Sequence, residues 1–114
     1  MTEKLIKRGD IYWVDFTDNK GHELKEIRPY LVISNDKQNI FSSLIIVSPI
    51  TSLKEGDKIF PFQVSIKLKK ESIMLVDQIQ TIDRGKFLDK IARISEETME
   101  KVEKCIHLVL SLKN

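Results

Sequence analysis

The sequence predicts a mostly β, α+β fold: a small antiparallel barrel with a C-terminal α-helix. Short runs rich in β-branched and aromatic residues, separated by turn residues, occupy the first four-fifths of the chain. The last fifth changes to the three- and four-residue spacing of an amphipathic helix. Because 114 residues is an ordinary domain size, we expect a single domain spanning residues 1–114.

Five segments have the composition of strands: residues 11–16, 30–34, 44–47, 60–68 and 73–82. Residues 44–47 are apolar without interruption, which is typical of a central strand buried on both faces. Residues 60–68 alternate between apolar and polar, a pattern that favours core positions for Phe60 and Phe62. Short antiparallel strands joined by turns indicate a barrel or a sandwich.

The C-terminal helix is predicted to begin after Ser95 and to run to about residue 112. Ser95 is a favourable N-cap, and Glu96 and Glu97 place negative charge in the first turn, where the helix dipole favours it. The apolar stripe consists of Met99, Val102, Ile106, Val109 and Leu110. A helix this apolar is expected to cover one end of the barrel or to lie near a subunit interface.

Composition narrows the function classes. Nineteen Lys and Arg against seventeen Asp and Glu give a formal charge of +2, so a nucleic acid would have to meet a local basic patch. The single Cys105 excludes a disulfide framework and a zinc site built from several cysteines. No apolar run approaches the roughly 18 residues of a membrane span, and the N-terminal residues lack a secretory signal. We therefore expect a cytoplasmic protein with no membrane partner.

Candidate functional residues lie beside the apolar runs. The chain contains no phosphate-binding glycine loop, dinucleotide fingerprint, metal-binding helix or nucleophile elbow. The polar residues that directly precede or follow an apolar run are His22, Glu23, Arg28, Thr51, Ser52, Asp77 and Gln78. Strand ends and their loops are where binding and catalytic residues usually lie.

Five segments, in order, resemble the MazF/PemK/Kid family of toxin endoribonucleases. They are residues 8–16, 21–23, 28–36, 47–52 and 77–83, and the C-terminal helix follows them. Any one of these short motifs alone would be weak evidence. Five of them at the family's spacing, over nearly the whole chain, are specific.

The resemblance implies a barrel related to the SH3-like and CcdB-like folds, a homodimer, and the toxin role in a type II toxin–antitoxin system. It implies cleavage of single-stranded mRNA at specific sequences without metal or cofactor, and neutralisation by a small MazE-like antitoxin. The family's nucleophile is the 2′-hydroxyl of the RNA itself, which gives a 2′,3′-cyclic phosphate and a 5′-hydroxyl. DNA lacks this hydroxyl and is expected only as a ligand that is not cleaved.

Arg28 and Thr51 match the family's catalytic arginine and threonine. The resemblance implies that Arg28 stabilises charge on the phosphoryl oxygens, since a guanidinium binds phosphate bidentately and stays charged. It implies that Thr51 hydrogen-bonds the phosphate or positions the 2′-hydroxyl. From the residues alone, Arg28 would be a surface residue paired with Glu26, and Thr51 would cap its own turn.

Supporting or RNA-binding roles are expected for His22, Glu23, Lys25, Ser52, Asp77 and Gln78. His22 and Asp77 match residues of the Kid/PemK branch, but the arginine that this branch has two residues before the aspartate is Leu75 here. The alternatives are an exposed loop histidine and a structural carboxylate. Residues 24–27 are bulkier and more charged than the family's usual loop, so the recognised base sequence cannot be transferred.

Further contacts to RNA are open. Lys54, Lys58 and the pair Lys69 and Lys70 are candidates for phosphate contacts, although surface lysines commonly only solvate a loop. Phe41, Phe60 and Phe62 are candidates for stacking on a base, although strand spacing favours core packing for Phe60 and Phe62.

Two other functions stay open at this point. One is a CcdB-like toxin that binds and poisons DNA gyrase without nuclease activity. The other is an inactive RNA-binding regulator that keeps the fold, and Leu75 is the residue that favours it. Replacement of Arg28 separates a nuclease from a gyrase poison, because only the nuclease needs that side chain.

Overall fold

The structure, a computed structural model, describes residues 5–17 and 26–113. Its elements are β1 (Asp10–Asp15), β2 (Ile27–Val32), α1 (Asp36–Phe41), β3 (Leu44–Ser52), β4 (Gln63–Lys67), β5 (Glu71–Leu75), β6 (Gln80–Asp83), β7 (Phe87–Arg93) and α2 (Glu96–Leu110). Two 3₁₀ turns, Val76–Gln78 and Arg84–Lys86, flank β6. The predicted mostly β, α+β class with a C-terminal helix is confirmed.

Strand pairing in the described residues is antiparallel throughout. The order is β4-β5-β3-β2-β1-β7, and β6 also pairs with β3. This path is open, so in this part of the chain the sheet does not close into a ring. The strand predicted at residues 44–47 is the first half of β3, which continues to Ser52 and pairs successively with β6, β2 and β5.

The strand predicted over residues 73–82 is wrong as one continuous element. Its two parts, β5 and β6, pair with different halves of β3: Ile50 pairs with Met74, and Val47 pairs with Gln80. The two registers differ by three residues, and the 3₁₀ turn Val76–Gln78 accommodates the excess. Val76 remains buried in the core, so its apolar side chain continues the apparent strand pattern through a turn.

The sheet is buried on both faces. In β2, Leu31 packs in one cluster with the α2 residues Met99 and Val102, while Tyr30 and Val32 pack in a second cluster. This division follows from the alternation of side chains along a strand. The second half of β2 is therefore apolar on both faces, whereas Ile27 and Arg28 at its start are exposed.

Helix α2 begins as predicted. The Ser95 hydroxyl accepts a hydrogen bond from the Thr98 backbone N–H at 3.1 Å. The helix ends at Leu110, two residues earlier than expected, because Ser111 adopts a left-handed conformation with a φ of 53° and its N–H bonds back to His107 and Leu108. In the described part of the chain, no helix is long and apolar enough to cross a membrane.

One end of strands β1, β2 and β3 is closed by buried polar contacts. Asp10, which is 1% exposed, binds Arg93 Nη1 at 2.8 Å and Lys90 Nζ at 3.2 Å. The Ser34 hydroxyl donates to Asn39 Oδ1 and accepts from the Ile46 N–H at 3.1 Å. The first set of contacts joins the start of β1 to β7, and the second joins the end of β2 to α1 and to the start of β3.

Three local features differ from the sequence predictions. Helix α1 was not expected; Asn35 caps it, and Asn39 anchors it through two hydrogen bonds with Ser34. Strand β7 was also not expected. Phe60 is 49% exposed and precedes β4, so its predicted core position is wrong; its ring stacks on Phe62 at 5.3 Å instead.

Candidate active site

A cavity of about 530 Å³ opens where β2 and β3 separate. Its polar wall consists of Arg28, Thr51, Ser52, Ser72, Gln78 and Gln80, which come from β2, β3, β5, β6 and the first 3₁₀ turn. Trp13 of β1 and the two prolines Pro29 and Pro49 form part of its apolar wall. We call this space the main cavity.

The strand register explains why Arg28 and Thr51 face the same space. The pairing of β2 with β3 reaches Tyr30 opposite Pro49. The same register carried two residues further would set Arg28 level with Thr51, but the pairing of β2 with β3 ends at Tyr30 and Pro49, and β3 continues only along β5, which lies at its other edge. Pro29 and Pro49 bring no N–H to the ladder at this point. The strands therefore diverge, and the two side chains line the gap between them.

Arg28 is exposed, and within residues 5–17 and 26–113 it makes no ion pair. The pair with Glu26, which the residues alone favoured, is not formed there. Thr51 likewise has no side-chain hydrogen bond to another described residue, and it is exposed on the cavity wall. The guanidinium and the hydroxyl are both available to an anionic ligand that enters the main cavity.

Tyr30 is a cavity residue that the sequence analysis missed. It is 5% exposed, its ring contacts Phe16 at 5.0 Å, and its hydroxyl accepts a hydrogen bond from Gln80 Nε2 at 3.5 Å. Burial raises the pKa of the Tyr30 phenol, and the positive charge of Arg28 offsets part of that increase. The phenol is therefore neutral at physiological pH and keeps its O–H as a donor. Its position two residues after Arg28, on the same face of β2, was the available sequence signal.

The other predicted site residues have three outcomes. Ser52 and Gln78 line the main cavity with Arg28 and Thr51. Asp77 lies on the adjacent 3₁₀ turn, exposed, and is not part of the cavity wall. Residues 18–25, which include His22, Glu23 and Lys25, lie outside the described residues. Leu75 lines the cavity where the Kid/PemK branch carries an arginine.

The described part of the chain contains neither a cluster of metal ligands nor a thiol in the main cavity. Residues 5–17 and 26–113 contain no cluster of three or more His, Cys, Asp or Glu that could hold a metal ion. Cys105 is buried on α2, with its Sγ 3.3 Å from the Pro61 carbonyl oxygen, and burial raises the pKa of the thiol. Cys105 therefore packs as a neutral side chain away from the main cavity.

Comparison with known proteins places the chain in a family. A model described as the PemK-like, MazF-like toxin of type II toxin–antitoxin system matches residues 7–110. Endoribonuclease EndoA of Bacillus subtilis is 38% identical, with 95% of this chain and 97% of the relative covered. Endoribonuclease MazF of Staphylococcus saprophyticus is 35% identical, with 95% and 93% covered.

Solved structures agree with this family. A crystal structure of MazE-MazF from Deinococcus radiodurans matches with a TM-score of 0.82 at 25% identity, covering 97% of this chain and 100% of that chain. A mycobacterial endoribonuclease in complex with its cognate antitoxin shares the fold, with a TM-score of 0.79 at 20% identity and 96% and 98% covered. The chain belongs to the PemK-like, MazF-like toxin family of type II toxin–antitoxin systems.

Proposed function

We propose that this chain is the toxin of a type II toxin–antitoxin pair and cleaves single-stranded mRNA at specific sequences without a metal ion. One observation carries the proposal. Arg28, which has no ion pair among the described residues, and Thr51 line the same cavity between two diverging strands. The curated relatives EndoA and MazF are endoribonucleases, and this chain covers nearly the whole length of both.

The proposed reaction uses the nucleophile that RNA carries. The 2′-oxygen forms a bond to the adjacent phosphorus, the bond from phosphorus to the 5′-oxygen breaks, and a proton moves from the 2′-hydroxyl while another reaches the leaving oxygen. Negative charge increases on the non-bridging oxygens in the transition state. Arg28 stabilises that charge by bidentate hydrogen bonding, and Thr51 hydrogen-bonds the phosphate or the 2′-hydroxyl. Since the substrate provides the nucleophile, no metal-bound water is needed.

Base recognition is assigned to the remaining cavity groups. Sequence-specific readout of single-stranded RNA requires unstacked bases that meet particular side chains. The hydroxyl of Ser52 and the amide of Gln78 supply donors and acceptors in the main cavity. His22, Glu23, Lys25 and Asp77 stay predictions as supporting or RNA-contacting residues.

The proposed partners follow from the family. The Deinococcus MazE-MazF crystal structure and the mycobacterial endoribonuclease with its cognate antitoxin support a MazE-like antitoxin for this chain. We further propose a homodimer, a single domain over residues 1–114, and a location in the bacterial cytoplasm, where mRNA is found. DNA is proposed only as a ligand that binds without being cut, because it has no 2′-hydroxyl.

The experiment that tests this function compares four proteins: the wild type, Arg28→Ala, Thr51→Ala and the control Thr81→Ala. Thr81 is an exposed threonine next to Gln80 on β6, and its side chain alternates to the other face. Growth arrest on expression and cleavage of a long single-stranded RNA in EDTA are measured. We expect both activities in the wild type and in Thr81→Ala, and neither in the other two variants.

A gyrase poison would give a different result. Growth arrest that persists in Arg28→Ala, together with intact RNA across several transcripts, would contradict the nuclease assignment. Specific RNA binding without cleavage by the wild type would favour an inactive regulator instead.

A further inference from the structure

A second cavity, of about 400 Å³, adjoins the main cavity. The two share Trp13, Pro29, Ser52 and Ser72 in their walls. We call the second space the side cavity. We propose that the side cavity binds a nucleotide next to the scissile phosphate, with its base stacked on Trp13 and its phosphate held by Lys69 and Lys70. This inference rests on the proposed endoribonuclease function.

The walls of the side cavity suit a base. Trp13, Pro29, Leu68 and Ile91 make the lining largely apolar, and the volume lies within the range of small-molecule sites, about 300 to 1,000 Å³. Trp13 is 41% exposed, whereas its neighbours Tyr12 and Val14 on β1 are buried. A fixed strand therefore presents an open indole at the boundary of the two cavities. Aromatic side chains of this kind are the usual stacking platforms for unpaired bases.

Part of the wall of the side cavity is positively charged. Lys69 and Lys70 occupy the turn between β4 and β5. The Lys70 carbonyl accepts a hydrogen bond from the Leu68 N–H at 3.1 Å and another from the Ser72 hydroxyl at 3.0 Å, so the turn is fixed. Neither lysine takes part in an ion pair with another described residue. Two ammonium groups that pair with no described carboxylate and lie beside an apolar wall match a nucleotide, which combines an apolar base with an anionic phosphate.

The side cavity is continuous with the main cavity, and this continuity favours RNA as its ligand. Ser52 follows Thr51 directly and lies in the walls of both cavities. A strand whose scissile phosphate meets Arg28 and Thr51 therefore enters the side cavity with the neighbouring nucleotide. The sequence suggested phosphate contacts for Lys69 and Lys70 but did not connect them with Trp13, which lies on β1, 56 residues before Lys69.

The first test measures the salt dependence of RNA cleavage. The variant Lys69→Ala/Lys70→Ala is compared with Lys101→Ala/Lys104→Ala, which removes the same charge from α2. Log affinity for a single-stranded nucleic acid falls with log salt concentration, and the slope is steeper by about 0.7 for each phosphate that the protein neutralises. Because both lysines hold one phosphate, we expect the slope of log kcat/KM to become shallower by about 0.7 for the first variant and to stay unchanged for the control.

The second test asks whether Trp13 contacts the nucleotides on one side of the cleavage site. Trp13→Ala is expected to lower kcat/KM by about ten- to a hundred-fold on a short RNA carrying a mapped cleavage site, and Trp13→Phe to retain most of the rate. The same RNA is then shortened by one nucleotide at a time on one side of the cleavage site. On the flank that occupies the side cavity, shortening should abolish the difference between Trp13→Ala and the wild type, because the lost contact is the same.

The outcomes separate the two proposals. Failure of the wild type to cut RNA would overturn the proposed function and, with it, the side-cavity assignment. Normal cutting by the wild type, with equal salt slopes for both lysine variants or an undiminished Trp13→Ala defect on RNAs shortened from either side, would overturn the side-cavity assignment alone. Thermal unfolding of each variant shows that it is folded, and the exposed turn makes the lysine variant informative even if Trp13→Ala is unstable.

Discussion

Strands β2 and β3 have two different ends, and the difference indicates where a ligand is needed. At one end, which we call the locked end, Ser34 forms hydrogen bonds with the Asn39 side chain and with the Ile46 N–H. At the other, the open end, Arg28 and Thr51 find no side-chain partner among the described residues. The same pair of strands thus provides a rigid base and an unsatisfied site. Hydrogen-bond donors that are held in place before the negative charge of the transition state develops are typical of catalytic sites.

The loop before β1 belongs to the locked end. Gly9 has a φ of 94°, a conformation that other residues rarely adopt, and its N–H donates to the Val32 carbonyl at 2.9 Å. Its carbonyl accepts from the Ile94 N–H at 2.9 Å. Gly9 therefore connects β2 with the segment that leads into α2, which stiffens the base on which the open end is built.

The largest expected effect is on catalysis at the open end. Arg28→Ala should lower kcat/KM for RNA cleavage by about a hundred- to a thousand-fold, since one charge-stabilising donor is lost from the transition state. Its free energy of unfolding should change by no more than about 0.5 kcal/mol, because the side chain is exposed and has no ion pair in the described structure. Urea unfolding and single-site cleavage kinetics measure the two quantities. A folded variant with full activity would contradict the site.

The converse effect is expected at the locked end. Asn39→Ala leaves the Ser34 hydroxyl without its acceptor and the Ser34 carbonyl without its donor, both buried. The free energy of unfolding should fall by about 2 to 4 kcal/mol in urea denaturation. At a temperature where the variant is folded, kcat/KM should remain close to that of the wild type. A large loss of activity with unchanged stability would reverse the comparison.

A smaller effect is expected from Tyr30, which lies between the two ends. Tyr30→Phe keeps the ring packed and removes the hydroxyl that contacts Gln80 and faces the main cavity. If the hydroxyl donates to the RNA phosphate, loss of this hydrogen bond to a charged group lowers kcat/KM by about ten-fold. Tyr12→Phe is the matched control, because Tyr12 is equally buried and does not line the main cavity. Equal rates for both variants would remove Tyr30 from the site.

The smallest expected effect is a shift in the pKa of Tyr30. In a Tyr12→Phe background Tyr30 is the remaining tyrosine of the chain, and its ultraviolet titration should lie above the usual value of 10.0. Adding Arg28→Ala should raise the pKa further, because the guanidinium favours the phenolate. The contribution of the neutral phenol to stability is present below pH 10 and is lost as the pH rises through the folded-state pKa. An unchanged titration would contradict the proximity of these two side chains.

The sequence predicted those features that depend on local pattern. The β class and the start of α2 follow from alternation and capping, and the family motifs identified Arg28 and Thr51. The 3₁₀ turn Val76–Gln78 could not be predicted, because it results from two registers along β3, and its buried Val76 imitates a strand residue. Helix α1 depends on Asn39, a polar residue whose burial is favourable only once Ser34 is beside it.

The candidate site was only partly predictable for a similar reason. Tyr30 has the character of a core residue, and only the divergence of β2 from β3 opens its hydroxyl to a cavity. The side cavity joins β1, β2 and β3 to the turn before β5, so its parts are scattered along the sequence. Such sites depend on long-range pairing, which a single sequence does not contain.

The most direct measurement is the chemistry of the RNA ends produced in EDTA. Mass spectrometry of a short RNA cut by the purified wild-type protein should show a 2′,3′-cyclic phosphate on one fragment and a 5′-hydroxyl on the other. The same RNA with a 2′-deoxy nucleotide at the cleavage site should remain intact, because the nucleophile is absent. Fragments with a 3′-hydroxyl and a 5′-phosphate, or cleavage of the deoxy-substituted RNA, would contradict attack by the 2′-hydroxyl at Arg28 and Thr51.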